Sequence, residues 1–142
     1  MSQKRGKPRT AKGLAALCAN LADEKIASDI LIMDLSHIES SPADYFVMCS
    51  SDSDIQCRAI AEHIALECKE LGVQIPKVEG AENAKWILLD FFDVVVHIML
   101  KDIRNFYKLE NLWGDSKFFQ LNEEGIPKPI KKKDLFKSTE TE

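Results

Sequence analysis

The stretch from Trp86 to Trp113 constrains the fold more than any other. It reads Trp-Ile-Leu-Leu-Asp-Phe-Phe-Asp-Val-Val-Val-His-Ile-Met-Leu and then Lys-Asp-Ile-Arg-Asn-Phe-Tyr-Lys-Leu-Glu-Asn-Leu-Trp. The first part is rich in β-branched and apolar residues and is interrupted only at Asp90 to Asp93, which predicts two strands joined by a tight turn. The second part predicts a helix that follows directly and runs to Trp113. Both tryptophans of the chain lie here, together with a histidine inside an apolar run. Either these polar groups do chemistry or the segment faces a partner.

The rest of the chain supplies layers for that strand pair. Thr10 is placed to cap a helix reaching about Lys25, with Leu14, Leu17, Cys18 and Leu21 on one face. Asp29 to Leu35 reads as a buried strand, Ser40 to Ala43 as a turn, and Tyr45 to Cys49 as a second strand antiparallel to the first. A helix from about Ser53 to Leu71 carries Cys57, Ile60, Ala61, Ile64, Cys68 and Leu71 as its buried stripe, and Gly72 ends it. Pro76 limits Val73 to Glu79 to a short edge strand. Phe118 to Leu121 adds a short apolar segment, and Pro127, Pro129 and the run Lys131 to Lys133 predict a loose tail. The fold class is therefore α/β: a single small domain with one mixed β-sheet and helices packed on it. Its expected boundaries are a disordered basic segment over 1–9, a folded domain over 10–121 and a flexible basic tail over 122–142.

Charge is distributed unevenly. Residues 1–12 hold five basic and no acidic side chains, and residues 126–142 hold five basic and three acidic. The body from 13 to 125 is left with nine basic against twenty acidic groups, a net of −11 within an overall −4. Such a body repels phosphates and attracts basic proteins, while the basic ends offer a contact for nucleic acid. The longest uncharged apolar run is too short to span a bilayer, so no membrane partner and a cytoplasmic location are expected. Cysteines 18, 49, 57 and 68 form no C-x-x-C pair, which predicts small buried hydrophobes in a reducing compartment and neither a metal site nor a cofactor.

Catalytic arrangements fit poorly. Asp52 and Asp54 are paired carboxylates, and with Asp90 they would make the set needed by a metal-dependent nucleotidyltransferase; as residues opening a helix, they serve better as caps. Asp93 and His97 share a strand face, but Ser50 and Ser51 are the only nearby nucleophiles and no G-x-S-x-G turn presents them. Neither a Walker loop nor a G-x-G-x-x-G motif occurs. A binding surface fits better. If Ile87 and Leu89 pack inward, Trp86 stands on the open face of the sheet with Leu88 and Asp90. On the helix, Ile103, Phe106, Tyr107, Glu110 and Trp113 occupy adjacent rows, more aromatic mass than a small core needs.

Several segments, in this order, resemble one family. They are Ala43-Asp-Tyr-Phe-Val47, Ala59-Ile-Ala61, Val78-Glu-Gly80, Trp86-Ile-Leu-Leu-Asp90, Asp93-Val-Val-Val-His-Ile98 and Tyr107-x-Leu-Glu-x-Leu-Trp-x-Asp115. Over about residues 14–113 the chain resembles the ribosomal silencing factors (RsfS/Iojap family). The resemblance implies a nucleotidyltransferase-like fold without the active site, and no enzyme activity. It implies a translational repressor of nutrient limitation that binds the large ribosomal subunit through large-subunit ribosomal protein fourteen and blocks joining of the small subunit. A role in large-subunit assembly is the alternative. The family's partner-binding tryptophan and aromatic helix match Trp86, Tyr107, Leu109 and Glu110; Leu88, Asp90 and Trp113 join them from the face and row read above, with Asp93 and His97 read as structural supports. It also implies a homodimer when free, and the basic tails add a contact with ribosomal RNA. One position departs from the family: the turn commonly carries glycine where Phe92 stands, and a turn needing positive φ would be strained there.

Overall fold

The computed structural model describes residues 5–135. The chain runs through helix α1 (Ala11–Glu24), strands β1 (Ser28–Asp34) and β2 (Tyr45–Ser51), helix α2 (Asp54–Glu70), and strands β3 (Lys77–Glu79), β4 (Trp86–Asp90) and β5 (Val94–Leu100). Helices α3 (Lys101–Tyr107) and α4 (Leu109–Leu112), strands β6 (Lys117–Leu121) and β7 (Pro127–Ile130), and a 3-10 turn at Lys132–Asp134 complete it. The seven strands make one mixed sheet in the order β3-β4-β5-β2-β1-β6-β7. Among the described residues only β2 and β5, at its centre, pair in parallel; the other pairs are antiparallel.

Local chemistry sets the ends of the helices. The Thr10 hydroxyl accepts the Gly13 amide at 2.9 Å, and the Ser53 hydroxyl accepts that of Gln56 at 3.1 Å, each satisfying a first-turn N–H. Gly72, with φ +86, closes the other end of α2. Gly80 is needed for a different reason: a Cβ there would collide with the carbonyl of Trp86. The β3–β4 corner thus brings its backbone directly against the start of β4.

The alternation of side chains along each strand divides the core in two. Ile32, Val47, Cys49, Ile87, Leu89, Val94, Val96 and Ile98 face α1 and α2, whose stripe of Leu17, Cys18, Leu21, Cys57, Ile60 and Ile64 covers them. Leu31, Met33, Phe46, Met48, Val95, Met99 and Phe118 face the other way, where Ile103, Leu109 and Trp113 pack on them. All four cysteines are free and buried, and burial pushes the Cys49 thiol up to about 12, which keeps it an inert hydrophobe.

Three expectations are corrected. The helix expected to run to Trp113 breaks at Lys108, which takes a left-handed conformation (φ 49, ψ 58) and divides it into α3 and α4. The tail expected to be loose from residue 122 contains β7, paired with β6 from Phe118↔Ile130 to Leu121↔Pro127. Proline lacks a donor, but β7 is the outermost strand and a donor on its free side has nothing to meet. The edge strand expected over Val73 to Glu79 is only Lys77–Glu79. Residues 5–9 form neither helix nor strand, yet Arg5 pairs with Glu24. The expected disorder of residues 1–4 and the tail beyond 135, with Lys137, lie outside the described residues.

Candidate functional site

Because Ile87 and Leu89 point into the α1–α2 core, Trp86, Leu88 and Asp90 stand on the opposite face of β4, each half-buried. Trp86 and His97 lie on neighbouring strands, β4 and β5, with Leu88 directly opposite His97. The indole N–H of Trp86 donates to His97 Nδ1 at 3.1 Å. An indole can only donate, so Nδ1 is the acceptor and the imidazole proton sits on Nε2. Burial, with the Arg104 charge adding to it, pulls the His97 pKa down to about 4, so the ring is neutral at pH 7.

Aromatic rings continue on both sides of this pair. Phe46 meets His97 edge-on at 4.6 Å between centroids and Trp113 at 6.3 Å. Tyr107 lies 5.0 Å from Trp86, and Phe106 lies 5.0 Å from Tyr107. The row begins in the core and ends in solvent: Phe106 is 78% exposed, Tyr107 51% and Leu112 70%. Leu109 and Trp113 are half-buried against the second core. An apolar rim of this kind, continuous with a packed aromatic cluster, is the composition of a protein-binding surface.

A buried arginine holds the rim in place. Arg104 of α3 is 3% exposed; its Nη1 donates to the Asp29 carbonyl at 2.7 Å and to Ser50 Oγ at 3.0 Å. Asp29 sits at an irregularity in the β1–β2 ladder with φ +50, one of the non-glycine residues in the left-handed region. Glu110 of α4 turns inward, its Oε1 lying 3.9 Å from Arg104 Nε. Glu110, expected among the partner contacts, is thus an internal counter-charge across the Lys108 break. Arg104 gave no sign of this in the sequence, where it is one basic residue in a polar helix. Phe106 stood in the aromatic row, and Leu112 carried no signal beyond its type.

The catalytic arrangements do not assemble. Asp93 and His97 are four residues apart along extended chain, about 13 Å, so a shared face does not bring them together. His97 meets Trp86 instead, while the exposed Asp93 offers its backbone carbonyl to the amides of Asp44 and Tyr45. The Ser50 hydroxyl is taken by Arg104, and that of Ser51 donates to the Ser53 carbonyl at 2.8 Å. Asp52 pairs with Lys101 at 2.8 Å, Asp54 with Arg58 at 3.4 Å, and Ser53 rather than either aspartate makes the cap. Asp90 faces Val95 whereas Ser51, next to Asp52, faces Leu100, which separates the carboxylates by roughly 17 Å along the sheet. Among the described residues no group of three or more His, Cys, Asp or Glu side chains could hold a metal, and no helix is long and apolar enough to cross a membrane.

Comparison with known proteins places this chain in a family. The model of "Ribosomal silencing factor during starvation" matches residues 8–142, beyond both ends of the 14–113 span that carries the resemblance. The chain belongs to the RsfS family. The ribosomal silencing factor RsfS of Bacillus subtilis is 44% identical over 111 residues, covering 78% of this chain and 93% of that protein. A crystal structure of a Chromobacterium violaceum protein superposes with a TM-score of 0.71 at 33% identity, covering 75% of this chain and 88% of that one. A mouse protein named for mitochondrial assembly of the ribosomal large subunit is 29% identical over 118 residues, covering 78% of this chain and 51% of its own length. RsfS membership fits the mixed α/β domain.

Proposed function

We propose that the protein docks on the large ribosomal subunit through the Trp86–Tyr107 face and blocks joining of the small subunit by its bulk. The observation that carries this is the break at Lys108, which leaves Phe106, Tyr107 and Leu112 in solvent beside a packed Trp86–His97 pair. The partner is a basic protein, large-subunit ribosomal protein fourteen in the reading the family suggests, and the net −11 of residues 13–125 supplies complementary charge. On this reading the protein is cytoplasmic, represses translation when nutrients are limiting, is not an enzyme, and is a homodimer when free. Its basic end segments add contacts to ribosomal RNA. Leu88, Leu109 and Trp113 shape the floor of the docking face, Asp90 its far end, and His97 and Asp93 its supports.

The test is cosedimentation with isolated large subunits, followed by a subunit-joining assay. Trp86→Ala is expected to cost about 2 kcal/mol or more of affinity, roughly thirtyfold. Trp86 also supports the core, so Tyr107→Ala, at an exposed ring, is the second variant and should weaken binding in the same direction. Cosedimentation of both variants at the parent level would show that the face is assigned wrongly. Rising salt should slow association more than it speeds release.

The mouse relative's name favours a second reading, an assembly factor for the large subunit. Depleting the protein and profiling free, precursor and joined subunits separates the two. Accumulating precursors would favour assembly; unchanged precursors with excess joining would favour silencing.

A further inference from the structure

We propose that Phe92 is an additional anchor of this docking surface, presented by a strained turn to receive a lysine or arginine side chain of the same basic partner. The proposal rests on the docking reading above and extends it to the far end of β4. Phe92 has φ +80, in the region that favours glycine, and its side chain is 78% exposed. The Asp93 amide donates to the Phe91 carbonyl at 3.1 Å, closing a three-residue turn around Phe92. A γ-turn with a positive central φ is the rare, strained form. The strain is built in: Asp90 Oδ1 accepts the Phe92 amide at 2.8 Å, and Phe91 N–H donates to the Val94 carbonyl at 2.9 Å. No packing is gained in return, since the ring points into solvent. Strain of this kind, held without benefit to the fold, points to a use in binding.

Position and charge indicate what the ring meets. Trp86, Leu88 and Asp90 occupy one face of β4, and Phe92 follows at its tip, about 20 Å from Trp86. That span lies within the footprint of one ordinary protein interface. The turn that presents the ring carries Asp90 and the exposed Asp93, and the exposed Asp44 is held beside it, its amide donating to the Asp93 carbonyl at 2.9 Å. Lys77 faces Asp90 across β3–β4, and Lys7 and Arg9 line a cleft with Phe91 and Asp93. An exposed phenyl ring on a turn that carries carboxylates recognises a cationic side chain through its quadrupole and through charge.

The test sets stability against binding in the full chain. Phe92→Gly relieves the turn and removes the ring, so its Tm should rise while affinity for isolated large subunits falls fivefold or more. Phe92→Ala removes the ring without relieving φ, so it should lose the same affinity without the gain in Tm. Unchanged large-subunit affinity in both variants, with Trp86→Ala impaired, would overturn the Phe92 anchor and leave the docking face standing. A lower Tm for Phe92→Gly would overturn the strain. If Trp86→Ala also binds like the parent, the docking reading itself fails.

Discussion

Single residues show where sequence order informs and where it misleads. Trp86 and His97 stood out as unusual, and the structure joins them to each other. The His97–Asp93 pairing, set aside in the sequence, does not form, because alternation gives direction and says nothing of reach: two residues on one strand face can be far beyond contact. Glu110 turns inward for another reason. Its row on the helix assumed unbroken helical phase, and the left-handed Lys108 resets that phase between Phe106 and Glu110. His97 also ties stability to acidity. Its folded pKa of about 4 lies below the 6.5 of an exposed histidine, so between those values the unfolded chain binds the extra proton. Stability from the neutral ring is complete above pH 6.5 and is lost as pH falls towards 4, by about 3 kcal/mol in all. Urea denaturation at pH 7.5 and pH 4.5 should show that loss, and a smaller one in His97→Gln. Equal losses in the two proteins would assign the acid sensitivity elsewhere.

Elements were legible where a period was strong and a cap was present. The first long helix begins at its expected hydroxyl cap, Thr10, the second begins near the expected Ser53 though the aspartates were the expected caps, and the β4–β5 pair lies where its apolar runs placed it. The C-terminal hairpin was not legible, because prolines spaced two apart look like a linker until an edge strand gives them a place. Nor was the hold that Arg104 has on α3 and α4, since its partners, the Asp29 carbonyl, Ser50 and Glu110, are scattered through the chain. Arg104→Ala would leave the Glu110 carboxylate buried opposite no charge and take a donor from two acceptors. A loss of about 3 kcal/mol or more is expected, as for other buried pairs broken on one side. Hydrogen exchange should speed up first across residues 108–113. Uniform acceleration over the whole sheet would instead mean that Arg104 supports the global core.

At the scale of the molecule, both sheet edges are protected. β3 is three residues long with Lys77 and Glu79 on it, and β7 carries Pro127 and Pro129. Removing residues 126–142 would expose β6 as a new edge and strip Ile130 from Phe118. Such a truncated chain should associate beyond the assembly of the full chain as its concentration rises, seen by light scattering, and a product no larger than that of the full chain at all concentrations would refute the protective role. The parallel pairing of β2 with β5 has a consequence in time. The two central strands are separated by α2, β3 and β4, so their register closes a long loop before it gains any hydrogen bond. During synthesis, α1 with the β1–β2 hairpin emerges first and waits with one flank unpaired until β5 follows. Commitment to the native state therefore comes late, when the Val94–Leu100 segment slots between β4 and β2 and completes the sheet's middle.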